Sequence, residues 1–442
     1  MKKSVPARSW RSLALLGVAV AMILSACGDG DADTTTTTAA AATTTTEEPT
    51  ATTEAPTETT APAVMLDPVP MRIGSILPQT GSLSAIITAL EEPLRMGAEE
   101  INAVSADLVT IDFADSGTDP TVASTNIDQY LTGDHNAIIG PAASSVANAV
   151  WDKVNTAGMV MCSGTSTGAI FSQPQYNPNH VRTAPSDDIQ APLLGNVIID
   201  DGYTNVAVVW RSDEYGEGFG EALANAVAAA GATVVLEQGF DHTQESFTDL
   251  SQAIVGSGAE ALAMIVFAEG GQLVLDLESA GWTGQTYVAD GFVDNIQADT
   301  VGGRTDLVEG YRGTYPSVAP ATGEATFGDR FAAFAPDAPT VFSAHMYDCL
   351  ATIVLAAQVA QSSDPAVYVD EIIGVTRDGE KCELVADCLE MVWSGVDIDY
   401  DGASGVLDFT ENGEPGIGIY DTFTYGAEMA IEYGDQLTGE LP

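Results

Sequence analysis

The sequence is poor in positive charge. Its 442 residues include 14 Lys and Arg against 63 Asp and Glu, a formal net charge of −49. Four of those cations lie in the first eleven residues, and the first acid is Asp29. A surface of this sign repels phosphate backbones, which excludes nucleic acid as a partner and disfavours nucleotide substrates. We interpret the excess of acids as a source of solubility in salty surroundings.

Aromatic residues and metal-ligand patterns are scarce as well. Aromatic residues make up 7% of the chain, which argues against a propeller or an aromatic-rich sandwich. The four histidines stand singly and form no Cys/His cluster with metal-ligand spacing, so we expect neither metal nor cofactor. The length exceeds that of one ordinary domain and predicts two or three.

Long apolar runs are absent too. The most apolar stretch, residues 13–24, follows Lys2, Lys3, Arg8 and Arg11. At about 1.5 Å per residue it cannot cross a hydrocarbon core of roughly 30 Å, so residues 1–26 are predicted to be an export signal.

The stretch ends in Leu24-Ser25-Ala26-Cys27, which resembles the bacterial lipobox. The resemblance implies cleavage before Cys27 and a diacylglycerol on its thiol, which would be the chain's membrane anchor. Ordinary signal cleavage, with Cys27 incidental, is the alternative. Residues 27–70 are rich in Thr, Ala, Glu and Pro and have almost no large apolar residue before Val64. They cannot bury a core and are predicted to be a disordered tether, a candidate for O-glycosylation.

The remaining cysteines are Cys162, Cys349, Cys382 and Cys388. An exported chain permits disulfides. Cys382 and Cys388 are close in sequence and are expected to be bonded. Cys162 and Cys349 are expected to be small buried apolar residues.

From residue 71 onward, short apolar runs alternate with helical patterns. Strands are predicted over residues 71–77, 108–115, 137–140, 159–162, 205–211, 233–238, 262–267 and 286–289. Helices are predicted over residues 91–104, 120–131, 144–155, 218–229, 247–255 and 272–279. Strict alternation implies right-handed βαβ units and parallel sheets covered on both faces. Two series of about four strands each predict an α/β fold of two doubly wound lobes.

After residue 327 the pattern changes to helices over 342–361, 366–375 and 388–393 and then to Gly-rich, strand-like sequence. The chain is therefore expected to return and complete both lobes. The first lobe is predicted to comprise residues 71–186 and 315–400, and the second 187–314 and 401–442. Ligands of open α/β sheets bind at the carboxyl ends of strands, so a cleft is expected between the lobes.

The first lobe has hydroxyl-rich segments after two strands. Ser144 and Ser145 follow a strand and open a helix, where they can face an anion or simply cap the helix. Residues 164–168 read Gly-x-Ser-x-Gly, formally a nucleophile elbow with Ser166 as nucleophile. Pro174 and Pro178 interrupt the long helix that an elbow needs, which favours a ligand-binding loop over an exported serine hydrolase.

In the second lobe, Tyr215 follows the strand that ends at Arg211, and Asp290 follows the strand at 286–289. Tyr215 either contacts a ligand or is an exposed residue that only precedes a helix. Asp290 is either a carboxylate at a functional strand end or a turn aspartate.

Together, Arg72-Ile-Gly-Ser-Ile-Leu-Pro-Gln-Thr-Gly81, the segment 140–145 and Tyr215-Gly-Glu-Gly218 resemble the type I periplasmic binding proteins. The most similar branch is the branched-chain amino-acid binding group of ABC importers, and the resemblance covers about residues 71–442. It implies two Rossmann-like lobes joined by three crossovers that close on a ligand.

The resemblance also implies roles for individual residues. Ser144 would bind the ligand's α-carboxylate, Thr165 would add main-chain contacts, and Thr167 would reach both carboxylate and ammonium. From the second lobe, Tyr215 would help close the cleft and Asp290 would pair with the ammonium, where the family usually has the longer Glu. Phe267 and Glu269 would lie near the remaining cleft strand.

The function implied is that of a solute-binding protein without chemistry of its own. It would be a monomer, lipid-anchored on the extracellular face of the cytoplasmic membrane, that delivers a branched-chain or related amino acid to an ABC permease. The alternatives are a sensor ectodomain of the same fold and the serine hydrolase that would use Ser166.

Overall fold

The computed structural model describes residues 65–317 and 326–442. The predicted signal peptide, the lipidation site Cys27 and the predicted tether up to residue 64 lie outside the described residues. The end of that tether is part of the fold, because the Leu66 N–H donates to the Trp393 carbonyl (2.9 Å) and the Val69 N–H donates to Gln358 Oε1 (2.8 Å).

Strands and helices alternate through most of the described residues. The strands are β1 Met71–Leu77, β2 Val109–Asp115, β3 Ala137–Ile139, β4 Met161–Ser163, β5 His180–Arg182, β6 Asn205–Arg211, β7 Thr233–Phe240, β8 Ala261–Ile265, β9 Gln285–Val288, β10 Arg312–Pro316, β11 Glu380–Cys382, β12 Ile398–Gly402, β13 Gly405–Val406, β14 Ile417–Tyr425 and β15 Ile431–Glu440. The α-helices are α1 Ile87–Val104, α2 Pro120–Leu131, α3 Ser144–Thr156, α4 Asp187–Asp200, α5 Glu214–Ala229, α6 Thr248–Gly256, α7 Gly270–Ala280, α8 Phe327–Phe334, α9 Ser343–Val359, α10 Pro365–Tyr368 and α11 Val385–Trp393. Short 3-10 helices lie at Ser84–Ile86, Ala169–Ser172, Pro174–Tyr176, Asp290–Phe292, Thr305–Leu307, Val369–Glu371, Gly374–Thr376 and Ala427–Met429.

The first lobe is built on a parallel five-stranded sheet with the order β2-β1-β3-β4-β5. Helices α1, α9 and α11 pack against one another beside it, and α2 packs against α3. Helix α9 is buried from Ser343 to Gln358, so it is covered by other parts of the lobe on every side. The small β11-β12-β13 sheet packs on α9 and α11 and therefore belongs to this lobe.

The second lobe is built on a seven-stranded sheet with the order β15-β14-β10-β9-β8-β6-β7. Its strands β6 to β10 are parallel, whereas β14 and β15 are antiparallel and come from the end of the chain. The chain passes between the lobes through α4, again after β10, and a third time between β13 and β14. The prediction of two doubly wound α/β lobes is confirmed, although the boundaries expected after residues 314 and 400 fall inside β10 and β12.

Helix α5 begins earlier than predicted. Asp213 is its N-cap and accepts a hydrogen bond from the Gly216 N–H at 3.0 Å, so the helix starts at Glu214 rather than residue 218. Tyr215 therefore lies on the first turn of a helix and not in a loop before it.

Some elements gave no clear pattern in the sequence. Helix α4 contains Pro192 and is covered on several sides, which removes the one-sided apolar stripe that identifies a helix. Strand β5 has three residues, and the exposed edge strand β15 is mostly polar with glycines at 434 and 439. Helix α4 was missed because it lacks a one-sided apolar stripe, β5 because it is short, and β15 because its mostly polar sequence has no apolar run.

The expectation for Cys162 and Cys349 was wrong, because the structure bonds them to each other with a Cα–Cα distance of 5.8 Å. The bond joins β4 to α9 across 187 residues, so it ties the first pass through the lobe to the returning segment. The sulfurs of Cys382 and Cys388, six residues apart, are also bonded.

The two bonds should differ in their effect on stability. From the loss of loop-closure entropy in the unfolded state, a disulfide that closes a loop of 187 residues should stabilise the folded state by about 5 kcal/mol, and one that closes a loop of six by about 2 kcal/mol. We expect Cys162→Ala/Cys349→Ala to lower the free energy of unfolding much more than Cys382→Ala/Cys388→Ala, measured by urea denaturation. Equal losses for the two pairs would contradict this assignment.

Candidate functional site

A cavity lies between the two lobes, with about 330 Å³ of space between its atoms that is partly open to solvent. Its walls combine apolar side chains with a few hydroxyls, one carboxylate and one amide. The lining residues are Leu83, Ile86, Ala142, Ala143, Ser144, Thr165, Thr167, Tyr215, Phe267, Asp290, Gly291, Asn295 and Phe342. All six residues predicted from the sequence to contact a ligand are therefore brought together in one cavity.

The first-lobe wall begins where β3 turns into α3. Gly140 has a φ of +95°, and a Cβ there would lie 2.2 Å from the Ile76 carbonyl oxygen, so the turn requires glycine. Ser144 is the first residue of α3, and its Oγ accepts a hydrogen bond from the Gly168 N–H at 3.1 Å. No side chain caps this helix. Ser144 thus joins two segments of the wall rather than capping its own helix.

The hydroxyl-rich loop after β4 is held by its own side chains. The Thr165 hydroxyl donates to the Ala142 carbonyl at 3.1 Å, and the Ser166 hydroxyl is within 3.2 Å of the carbonyls of Pro141 and Ala142. Ser166 is fully buried and does not line the cavity. It serves the loop's structure, so the hydrolase hypothesis has no accessible nucleophile here.

Arg182, on β5, anchors the same loop from behind. Its Nη1 donates to the carbonyls of residues 166, 167 and 168, at 3.2, 2.8 and 3.0 Å. Its Nη2 contacts the Ser172 hydroxyl, and Nε and Nη2 both contact Glu414 Oε2. Arg182 is 1% exposed and Glu414 is 2% exposed, so the ion pair is buried. The main chain of Thr167 is thereby fixed against the segment that leads into β14.

The second-lobe wall is aromatic, with a carboxylate beside it. The Tyr215 ring stacks on the Phe267 ring with centroids 5.2 Å apart, and its hydroxyl donates to Asp290 Oδ1 at 3.2 Å. The Arg211 guanidinium lies 3.8 Å from the Phe267 ring centroid. Glu269 accepts from Arg211 and from the Phe267 N–H, so it supports Phe267 without lining the cavity.

Two buried carboxyl groups lie at or near the cavity, and burial disfavours their ionised forms. Burial raises the pKa of Asp290 to about 7, against the hydrogen bonds from Tyr215 and Gln190 that favour the ionised form. Asp187, the first residue of α4, is fully buried, and its pKa is raised by burial and by the charge of Asp290. The other charged or titratable groups that face this pair are Arg182, Asp188, Tyr215 and Tyr420. Among the described residues that line the cavity, none is Lys or Arg.

Sequence reasoning missed Leu83, Ile86, Asn295 and Phe342, which also line the cavity. Phe342 has a φ of 59°, an uncommon conformation for a bulky residue and one that tends to occur at functional sites. These residues lie in turns and 3-10 segments, where hydrophobic periodicity gives no signal.

Polar contacts bridge the two lobes at the edge of the cavity. Ser145 Oγ donates to Asp213 Oδ2 at 3.3 Å, and Asn148 Nδ2 donates to Glu214 Oε1 at 2.8 Å. These contacts join the first turns of α3 and α5, so the described arrangement has the two cavity walls in direct contact.

Within residues 65–317 and 326–442, no cluster of three or more His, Cys, Asp or Glu side chains could hold a metal ion. In the same part of the chain, no helix is both long enough and apolar enough to cross a membrane.

Two α/β lobes around a small cavity are the architecture of a two-lobed binding protein. A family model described as periplasmic binding protein matches residues 70–379, and the chain belongs to that family. The family resemblance inferred from the sequence is confirmed. Members of this family are binding proteins rather than enzymes.

Curated relatives are distant. The amino acid binding protein of Pseudomonas aeruginosa is 25% identical over 66% of this chain and 80% of its own. The Leu/Ile/Val-binding protein homolog 3 of Brucella melitensis is 25% identical over 52% of this chain, and the match spans 64% of that relative's length.

Two solved structures share the fold. The leucine binding protein LivK of Thermotoga maritima has a TM-score of 0.70 and 19% identity, and the alignment covers 83% of this chain and 98% of that one. The substrate binding protein LivJ of Streptococcus pneumoniae, in complex with isoleucine, has a TM-score of 0.68 and 17% identity, with coverage of 84% and 99%.

The raised pKa of Asp290 predicts how stability depends on pH. The carboxyl of Asp290 stays protonated in the folded state at pH values where the unfolded chain has already lost that proton. Protonation of Asp290 therefore contributes fully to the free energy of unfolding below about pH 4, and the contribution is lost as pH rises to about 7. Between pH 5 and pH 8, the free energy of unfolding of the ligand-free parent protein should fall by on the order of 2 kcal/mol more than that of Asp290→Asn, measured by urea denaturation.

Asp306→Asn is the control, because Arg304 lowers the pKa of this exposed carboxyl. Asp306 therefore titrates below pH 5, and its replacement should not change how the free energy of unfolding varies between pH 5 and pH 8. If Asp290→Asn follows the parent protein across the whole pH range, the inferred protonation of Asp290 is wrong.

Proposed function

We propose that this protein is a solute-binding protein that captures a free amino acid with a branched or otherwise small apolar side chain between its two lobes. The lobes close on the amino acid, and the closed protein delivers it to an ABC permease. The protein acts as a monomer outside the cytoplasmic membrane, held there by a lipid on Cys27. It has no chemistry of its own.

One observation carries the proposal: Ser144, Thr165 and Thr167 from one lobe face Tyr215 and Asp290 from the other in one cavity. The uncapped start of α3 and the Ser144 hydroxyl, whose oxygen accepts from the Gly168 N–H, offer hydrogen-bond donors for a carboxylate. Asp290 offers an acceptor for an ammonium group. A zwitterion satisfies both walls at once, and a ligand with one charge satisfies only one.

The apolar part of the cavity indicates the side chain. Leu83, Ile86, Phe267 and Phe342 line it together with two alanines. No Lys or Arg among these lining residues could pair with a second carboxylate, so acidic amino acids are disfavoured. The apolar lining favours leucine, isoleucine or valine, in keeping with the names of the relatives.

Delivery to a permease is supported by the family and by the names of the relatives, which also favour a location outside the cytoplasmic membrane.

A second function is favoured by one relative. The chemotactic signal transduction system substrate-binding protein BasB of Halobacterium salinarum is 23% identical over 78% of this chain. A sensor would bind the same ligand but pass the closed form to a receptor. Uptake of labelled leucine by cells with and without the gene separates the two, because only a transporter component changes uptake.

A thermal-shift panel of amino acids, amides and small carboxylates tests the proposal on protein that has been unfolded and refolded to remove any ligand. A ligand at 100 times its dissociation constant adds about 2.7 kcal/mol, which raises the melting temperature by several degrees. We expect shifts with leucine, isoleucine or valine, and a strongly reduced shift for Ser144→Ala.

The matched control is Ser251→Ala, which removes another fully buried serine hydroxyl in α6, away from the cavity. It should keep the ligand shift of the parent protein. If no amino acid shifts the melting temperature of the parent protein, the proposal fails.

Lobe closure is tested at the contact between Asn148 and Glu214. Glu214→Ala removes a hydrogen bond across the cleft worth about 1 kcal/mol, so the ligand should dissociate about fivefold faster, measured by stopped-flow fluorescence. Glu217→Ala is the control, since it removes an exposed acid from the same first turn of α5. Equal dissociation rates for the two variants would argue that this contact does not hold the bound form closed.

A further inference from the structure

Tyr176 is a buried tyrosine that does not line the cavity. It ends the short 3-10 helix Pro174–Tyr176 between β4 and β5, and it is 4% exposed. Its ring packs against Trp151, Phe171 and His180 of the same lobe, with ring centroids 5.4, 5.0 and 6.0 Å away. A phenylalanine ring would provide the same packing, so the hydroxyl group needs a separate explanation.

The Tyr176 hydroxyl begins a chain of hydrogen bonds that crosses from one lobe to the other. It donates to Asn148 Oδ1 at 2.6 Å, and Asn148 Nδ2 donates to Glu214 Oε1 at 2.8 Å. Asn148 lies on α3 of the first lobe, and Glu214 is the first residue of α5 in the second lobe. An ionised carboxylate can only accept hydrogen bonds, so the amide turns its NH₂ group to Glu214 and its carbonyl to Tyr176.

Tyr176 is suited to be the donor in this chain. Burial and the charges of Glu214 and Asp152 raise the pKa of Tyr176, so its hydroxyl keeps its proton. The rings that pack around it belong to the first lobe, so the place of the hydroxyl is set within that lobe. The Asn148 amide is thus held by its own lobe at the carbonyl and bonded to the other lobe through its NH₂ group.

Holding the Asn148 side chain in advance makes closure less costly. Asn148 is only partly buried, and a free asparagine side chain samples several rotamers whose loss on closure costs entropy. A hydrogen bond already formed within the first lobe removes part of that cost before the lobes meet. The same bond polarises the amide and strengthens its contact with Glu214.

We propose that Tyr176 is a positioning residue for lobe closure. Its hydroxyl holds the Asn148 amide so that the NH₂ group meets Glu214 when the lobes close, and this slows the release of the ligand. The inference rests on the proposed function, because it takes capture of a ligand between closing lobes as given.

The place of this chain predicts which rate constant it controls. Tyr176, Asn148 and Glu214 do not line the cavity, so they cannot distinguish one ligand from another. The bond to Glu214 forms only once the lobes have met, so it opposes opening and does not assist the first encounter with the ligand. Loss of the Tyr176 hydroxyl should therefore raise the dissociation rates of all ligands by one factor and leave their association rates unchanged.

The test is stopped-flow fluorescence on the refolded protein with leucine and valine as probes. Tyr176→Phe keeps the ring and removes only the hydroxyl. We expect both amino acids to dissociate about two- to fivefold faster, as for one lost hydrogen bond, by equal factors and with unchanged association rates.

The matched control is Tyr368→Phe. It removes the hydroxyl of another buried tyrosine of the first lobe, one that donates to the Asn136 carbonyl at 2.7 Å and does not line the cavity. Both rate constants should stay those of the parent protein, even if the free energy of unfolding falls.

Two combined changes separate positioning from a general loss of stability. In the Glu214→Ala background, Tyr176→Phe should not speed dissociation further, because the amide has lost its partner across the cleft. Asn148→Asp places a carboxylate opposite Glu214 and should speed dissociation more than Asn148→Ala does, since like charges repel. Adding Glu214→Gln to Asn148→Asp should restore slow dissociation, because the second lobe then supplies the NH₂ group.

The outcomes separate this inference from the proposed function. If the parent protein binds leucine but Tyr176→Phe leaves its dissociation rate unchanged, or speeds it equally with and without Glu214→Ala, the positioning role is overturned and the amino-acid function stands. Unequal factors for leucine and valine would also overturn it, since they would place Tyr176 in contact with the ligand. If the parent protein binds no amino acid, the proposed function fails and this inference fails with it.

Discussion

The buried ion pair between Arg182 and Glu414 holds the hydroxyl-rich loop after β4 in place. Arg182 lies on the last strand of the first sheet, and Glu414 lies on the last crossover, just before the second lobe is completed. Between them, the guanidinium gathers the carbonyls of residues 166, 167 and 168, which would otherwise repel one another. The side chains of Thr165 and Thr167 can face the cavity because their main chain is fixed from behind. Removing either charge would leave the other buried and unpaired, which costs several kcal/mol.

That arrangement explains the polarity of the cavity. All N–H groups of the Arg182 guanidinium bond to groups of the protein itself, so none is left for a ligand. Asp290 lines the cavity without a cation beside it, and the opposite wall offers the Ser144 hydroxyl and the uncapped start of α3. The site therefore has a carboxyl group on one side and hydrogen-bond donors on the other. This polarity matches a zwitterion better than it matches a simple acid or a simple amine.

The sequence predicted the fold and the polar part of the site for a physical reason. Buried parallel strands are short apolar runs, and the polar residue after each run lies at the sheet edge where ligands bind, as for Ser144 and Asp290. Helix α2 was predicted with its correct bounds because Asp119 and Pro120 mark its start unambiguously. The apolar lining could not be predicted in this way, because Leu83 and Phe342 lie in turns and reach the cavity only through tertiary packing. The partner of Cys162 was also hidden, since 187 residues separate it from Cys349 and only the folded lobe brings them together.

The central claim is that both charges of an amino acid are recognised at once, one by each wall of the cavity. It is tested most directly by calorimetric titration of the refolded protein with leucine, 4-methylpentanoate and 3-methylbutylamine, which share the branched chain but carry both charges, the carboxylate alone or the amine alone. The account predicts that leucine binds at least about a hundredfold more tightly than either singly charged compound, since each loses a charge-assisted hydrogen-bonding group. Binding of either singly charged compound as tightly as leucine would contradict it.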